Sequence, residues 1–161
     1  MKRRFVLAYV LAALAAAGLH FAYAWLPVPV IGLLAPVRES VWEHLKLLFT
    51  PFFLSAFFLG KWEEDKTKFW SGMLAALLVM PVVLLGGFYT LSAGFGLQAL
   101  WLDLLLFYLT LAHGYVLGYR LVRSGRAIVL VGGLVIAAGL YGAALVLFTY
   151  APPELPIFLA G

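Results

Sequence analysis

Five stretches of about 20 predominantly apolar residues follow one another along this chain of 161 residues. They constrain its fold more than any other feature, because about 20 apolar residues in a helix cross the hydrocarbon core of a bilayer. The predicted spans cover residues 5–26, 40–60, 69–91, 98–119 and 127–150. The sequence therefore predicts an all-α integral membrane helical bundle with five transmembrane helices, organised as a single transmembrane domain over residues 1–161.

Composition excludes several classes of protein. Hydrophobic residues make up 65% of the chain and charged residues 11%, with a mean hydropathy of +1.06. Average soluble proteins are about half apolar and a quarter charged, so a soluble enzyme, a nucleic-acid-binding domain and a disordered segment are excluded. The chain has no cysteine, which excludes disulfides and thiolate metal sites. The expected partner is the lipid bilayer; the sequence is also compatible with a homodimer, and it predicts no nucleic-acid partner.

The basic residues predict the orientation in the membrane. Nine of the eleven Lys and Arg residues fall on one side of the predicted topology: Lys2, Arg3, Arg4, Lys61, Lys66, Lys68, Arg120, Arg123 and Arg126. Because loops rich in Lys and Arg stay in the cytoplasm, we expect the N-terminus inside and the C-terminus outside, in the cell (plasma) membrane. The alternative for the first span is a signal peptide cleaved after residues 22–24. The apolar run continues through Leu26, so we expect this span to be retained.

Two apolar, proline-containing segments follow the predicted outer span ends, over residues 27–37 and 151–161. Such segments either roof a cavity or pack against lipid headgroups, and the sequence leaves both open.

Small residues in the third and fifth spans predict close helix packing. These are Gly86, Gly87, Gly132, Gly133, Gly139 and Gly142.

Ionisable residues inside the predicted spans are the candidates for function, because a charge in a bilayer is costly. They are His20, Glu39, Glu43, His44, Lys46, Asp103 and His113. At about 1.5 Å per residue, His20, Glu43, His44, Lys46 and Asp103 lie roughly 4–9 Å below the outer surface, with Glu39 at the mouth. His113 lies near the inner surface, and we expect it to hydrogen-bond a neighbouring helix.

The densest motif opens the second span. Ser40 is a suitable N-cap, and Glu43 three residues later completes a capping box. Glu39, Glu43 and Lys46 share one helical stripe with Thr50, which favours a Glu43–Lys46 ion pair facing the bundle interior. Capping plus an ion pair is the structural interpretation, and a ligand-binding or catalytic site is the functional one.

This motif also carries a resemblance. Pro36-Val37-Arg38-Glu39-Ser40-Val41-Trp42-Glu43-His44-Leu45-Lys46 resembles the motif Pro-Val-Asn-Glu-Ser-x-Trp-Glu-His-x-Lys of a family of small, uncharacterised bacterial multi-pass membrane proteins. Arg38 departs from it, where the family usually has Asn. His20-Phe21-x-Tyr23-x-Trp25 is similar to the end of that family's first span. The resemblance implies a location in a bacterial inner membrane. It implies no activity, because the family is a domain of unknown function.

Three functions remain open on the sequence alone, and whether the chain is an enzyme is undecided. In the first, His20, Glu43, His44 and Asp103 converge on a divalent metal such as zinc, in a metal-dependent hydrolase. Glu39 would then act as general base, and Lys46 would stabilise a developing anion. The second is a proton- or cation-linked transporter or channel subunit. The third is a structural or partner-binding subunit. The sequence predicts no organic cofactor site and names no substrate.

Overall fold

A computed structural model describes residues 2–158, and 83% of the chain is helical in it. In the described residues, five helices of 20–25 residues and one short helix of six residues make up the bundle. They are α1 (Lys2–Trp25), α2 (Pro29–Leu34), α3 (Val41–Gly60), α4 (Lys66–Tyr89), α5 (Leu100–Ser124) and α6 (Val131–Tyr150). A π-helical turn (Thr90–Gly94) extends α4, and 3-10 turns (Ile128–Leu130, Pro156–Phe158) precede and follow α6. The described residues contain no β-strand.

Four segments are long and apolar enough to cross a membrane: Lys2–Trp25, Lys66–Gly94, Leu100–Ser124 and Ile128–Tyr150. They coincide with the first, third, fourth and fifth predicted spans. The predicted second span corresponds to α3. This helix is less apolar because Glu43, His44 and Lys46 lie in its first two turns. The all-helical class is confirmed, with four membrane-capable helices.

Helix α3 lies at the centre of the bundle. Eleven of its 20 residues are buried, including Leu48 and Phe52. On one side α1 packs against it. The buried residues of α1 recur every three or four positions and form a single helical stripe: Phe5, Ala8, Ala12 and Ala16.

The tightest packing joins α4 to α5, and it includes Gly87, one of the glycines that the sequence singled out, where a Cβ would lie 2.7 Å from the Leu106 side chain. Glycines that the sequence did not single out also lie there. A Cβ at Gly72 would lie 2.6 Å from the backbone nitrogen of Val122, and one at Gly118 would lie 3.0 Å from the sulfur of Met73. By contrast, a Cβ at Gly86, Gly132, Gly133 or Gly139 would meet nothing within 4 Å. The predicted close packing is therefore wrong for these four. Spacing along a helix does not say which face meets a neighbour.

The basic residues come together at one end of the bundle. The Arg4 guanidinium lies 5.2 Å from the centre of the Trp62 ring, and Phe5 packs edge-on against Tyr119. The N-terminus of α1, the loop 61–65 and the C-terminal end of α5 thus share a surface, which we call the basic end. The opposite end, where α1 ends and α3 begins, is called the motif end.

A segment of residues 27–37 folds over the motif end. Its short helix α2 is held by hydrogen bonds from Thr50 of α3 to the Leu34 carbonyl (3.0 Å) and from Tyr150 of α6 to the Pro29 carbonyl (3.0 Å). In the C-terminal segment, Phe158 packs against Trp42. The last three residues of the predicted segment 151–161 lie outside the described residues.

Candidate metal centre

His44 is oriented by the first turn of α3. Ser40 caps this helix, its side chain accepting a hydrogen bond from the Glu43 backbone N–H (3.3 Å). The Nδ1 atom of His44 lies 2.7 Å from the Ser40 carbonyl oxygen. Because a carbonyl only accepts, Nδ1 carries the hydrogen, and in a neutral ring the lone pair is then on Nε2. Metal-binding histidines are usually held in this way, with the second ring nitrogen donating to a carbonyl or carboxylate.

His20, on α1, lies beside the His44 ring. Its ring centroid lies 5.2 Å from that of His44, and its Nδ1 atom is shielded from solvent without a hydrogen-bond partner among residues 2–158. A buried polar atom left unpaired costs about 1–3 kcal/mol. The His20 imidazole therefore has unused capacity to bind a ligand.

Glu39 completes the group. It precedes the N-cap, so it is not on the helical stripe of α3, and its Oε2 atom lies 3.4 Å from Nε2 of His44. One side-chain donor atom from each of His20, Glu39 and His44 lies within 4.8 Å of the others. The side chain of Glu39 is 71% exposed and that of His44 32%, so the group opens to the surroundings at the motif end.

Two imidazoles and one carboxylate form a donor set that suits zinc and non-haem iron. Donors on one tetrahedral zinc lie about 3.3 Å apart when each bond is about 2.0–2.1 Å. Oε2 of Glu39 and Nε2 of His44, 3.4 Å apart, already have this separation. The remaining separations are at most 4.8 Å, so the His20 donor must approach the other two by up to roughly 1.5 Å to share an ion.

Glu43, which the sequence placed in the metal group, points elsewhere. Its Oε2 atom accepts from Nζ of Lys46 (2.9 Å) and from the backbone N–H of Val37 (2.9 Å), and its Oε1 atom accepts from the Thr149 hydroxyl (2.8 Å). The predicted ion pair with Lys46 is confirmed, and both side chains are buried.

Lys46 uses all three of its donors inside the protein. Besides Glu43, its ammonium lies 2.6 Å from the Gly32 carbonyl oxygen and 3.4 Å from that of Ala35. These carbonyls end the short helix α2, where a cation is favoured by the helix dipole. The side chain is 1% exposed. This geometry favours a structural role for Lys46, which fastens residues 27–37 to α3, over the predicted contact with a substrate anion.

Asp103 and His113 do not join the group. Asp103 lies in the first turn of α5 and is exposed. A carboxylate at that position interacts favourably with the helix N-terminus, which provides a structural reason for it. His113 is exposed on the same helix. Of the four residues expected to converge, the structure brings together His20 and His44, and it adds Glu39.

Thr149 is a polar contact that the sequence analysis missed. It lies in the last turn of α6, 106 residues from Glu43, and its hydroxyl also bonds to the Leu145 carbonyl of the preceding turn. Threonine commonly makes that second bond in helices, so the residue type carried no signal of a long-range partner.

The model of a family of unknown function, DUF6512, matches residues 2–161. The chain belongs to this family. The match extends over almost the whole chain, and it confirms the expected membership of a family of unknown function. A comparison with curated proteins and with solved structures gives no match. The family has no assigned activity, so the functional argument for this DUF6512 member rests on its own residues.

Proposed function

We propose that this chain is a five-span protein of the cell membrane that binds a divalent transition metal, zinc being the best match, at its outer face. The observation that carries the proposal is the convergence of His20, Glu39 and His44 within 4.8 Å. A fixed His44 tautomer and an unpartnered His20 nitrogen support it, because both leave imidazole lone pairs available to a metal.

The five-span topology rests on how α3 satisfies its polar groups. A helix of 20 residues is about 30 Å long, which matches the hydrocarbon core. The charges of Glu43 and Lys46 are paired and hydrogen-bonded inside the bundle, so neither faces lipid. The basic end would be cytoplasmic, since Lys and Arg accumulate in cytoplasmic loops.

Three protein ligands leave at least one position open on a tetrahedral metal. Catalytic zinc sites share this feature, whereas structural zinc sites are closed by four protein ligands. A metal held by His20, Glu39 and His44 would supply the chemistry of such open sites, the activation of a water molecule as a nucleophile. Hydrolysis of a substrate that reaches the outer surface is therefore the reaction class that we propose. Glu39 serves here as a ligand, in place of the general-base role that the sequence suggested.

The proposal is tested by calorimetric titration of zinc into chelator-treated protein prepared without a histidine tag. We expect one zinc per chain. His20→Ala and His44→Ala should weaken binding by at least about 10- to 100-fold, the penalty that losing even an outer-shell partner of a metal site can carry. His113→Ala is the matched control, because it removes the third histidine without touching the group, and it should bind zinc like the unchanged protein.

One alternative has an observation in its favour. The fully hydrogen-bonded Glu43–Lys46 pair shows that part of this polar layer is structural, which favours a structural or partner-binding membrane subunit. In that case Glu39 and His44 form only an ion pair. Zinc binding that is absent, or equally reduced by His44→Ala and His113→Ala, would establish this alternative.

A further inference from the structure

An apolar groove of about 650 Å³ runs between α3, α4 and α6, away from the metal group. One wall is aromatic. Phe49, Phe53 and Phe57 recur every fourth residue on α3, with ring centroids 5.4 and 5.1 Å apart, and Trp70 of α4 continues the row 4.9 Å from Phe57. This wall offers a continuous apolar surface.

The opposite wall is a face of α6 that carries small residues. Ala138, Gly139 and Gly142 line the groove. A Cβ at Gly142 would lie 3.0 Å from the Phe49 ring, so the two walls meet there. At Gly139 a Cβ would meet nothing within 4 Å. The groove is therefore closed near Phe49 and open on the side of Gly139 that lies toward the basic end.

Within residues 2–158, Lys66 is the one charged residue that lines the groove, and it lies at the basic end next to Thr67. The Lys66 ammonium donates one hydrogen bond to the Gly60 carbonyl. An ammonium has three donors, so two remain for an anion. Apolar walls with a cation and a hydroxyl at one end match an amphiphile that has an apolar chain and an anionic head.

The length of the groove decides between a lipid and a helix. The residues that line the groove extend about 12 Å along α3, from Phe49 to Phe57, and about 18 Å along α6, from Val131 to Ala143. One leaflet of the hydrocarbon core is about 15 Å thick, whereas a spanning helix needs about 30 Å. The groove fits a chain that enters from one leaflet and is too short to seat a transmembrane helix along its whole length.

We propose that this groove is a specific site for an anionic phospholipid of the leaflet at the basic end, with one acyl chain between the aromatic wall and α6 and the phosphate at Lys66 and Thr67. The site is independent of the metal centre. It does not require that centre to bind metal.

The fluorescence of Trp70 reports whether a lipid occupies the groove. The protein is placed in phosphatidylcholine vesicles, and phosphatidylglycerol with brominated acyl chains, which quench tryptophan fluorescence on contact, is added stepwise. The Trp70→Phe protein gives the background from the other four tryptophans. We expect the Trp70 signal to be quenched along a saturating curve at low mole fraction of the brominated lipid.

Two pairs of variants locate the lipid. Gly139→Leu should abolish the saturable quenching by filling the groove, and its backbone has room for a side chain. Gly133→Leu is its control, because it adds the same side chain to the same helix, also in open space, outside the groove lining. Lys66→Gln should reduce the preference for phosphatidylglycerol over phosphatidylcholine about fivefold, as expected for one basic side chain near anionic lipid. Lys61→Gln, outside the groove lining, should leave it unchanged.

Three results would overturn the proposal. Quenching that rises linearly with mole fraction and is the same in Gly139→Leu indicates ordinary surrounding lipid. If Lys66→Gln leaves the preference for phosphatidylglycerol unchanged, Lys66 does not select an anionic headgroup. Efficient disulfide formation between copies of Ala143→Cys, in a chain that has no other cysteine, shows that a second copy occupies the groove.

Discussion

The imidazole rings of His20 and His44 face each other with their centroids 5.2 Å apart and their planes inclined at 37°, although they belong to different helices. His20 lies near the end of α1 and His44 in the first turn of α3, so the contact joins two helix ends at one level of the bundle. With Glu39 beside them, the two rings form the group of donors from which we infer a metal centre.

Removing one partner of the buried Glu43–Lys46 pair should destabilise the bundle strongly. Lys46→Met leaves the Glu43 carboxylate buried without its cation, which typically costs 3–5 kcal/mol. The free energy of unfolding, measured by denaturing-detergent titration in mixed micelles, should fall by about that amount. The double variant Glu43→Gln with Lys46→Met should lose less than the sum of the single variants. Strict additivity would contradict the assigned contact.

Substitution of Gly72 should be far more damaging than substitution of Gly133. In Gly72→Ala the new Cβ lies 2.6 Å from the backbone nitrogen of Val122, so α4 and α5 must move apart. We expect a loss of about 1–3 kcal/mol, the usual cost of overpacking. Gly133→Ala meets nothing within 4 Å and should be neutral or stabilising, since alanine favours helix. Equal thermal stabilities of the two variants would contradict the close approach of α4 and α5.

Single cysteines should report which loops lie outside. The natural chain has none, so each introduced thiol is unique. In intact cells, a membrane-impermeant maleimide should label Arg38→Cys and Leu97→Cys, and it should label Glu64→Cys only after permeabilisation. Labelling of Arg38→Cys and Glu64→Cys from the same side would show that α3 does not cross the membrane. The reverse labelling of all three would show the opposite orientation.

The helix positions could be predicted from sequence because they depend on local composition. The predicted second span, 40–60, differs from α3 by one residue at its start. Ser40 was identified as the N-cap because hydroxyl side chains satisfy the free N–H groups of a first turn. Lys46 was expected to face inward because a lysine in lipid is costly, and it does.

The composition of the candidate site could not be predicted, for a geometric reason. Position along a helix gives depth, but the rotation of the helix about its axis depends on tertiary packing. Asp103 has nearly the predicted depth of His20, yet its side chain is exposed. Glu39 was assigned to the stripe of Glu43 and Lys46 as if it were helical. The helix begins only at Val41, so Glu39 is free to turn toward His44.

The central claim is tested most directly by X-ray absorption at the zinc edge, on tag-free protein loaded with one equivalent of zinc. The account predicts nitrogen and oxygen ligands at about 2.0–2.1 Å with the outer-shell scattering of two imidazoles, falling to one in His44→Ala and unchanged in His113→Ala. A spectrum without imidazole scattering, or one that His44→Ala leaves unchanged, would contradict it.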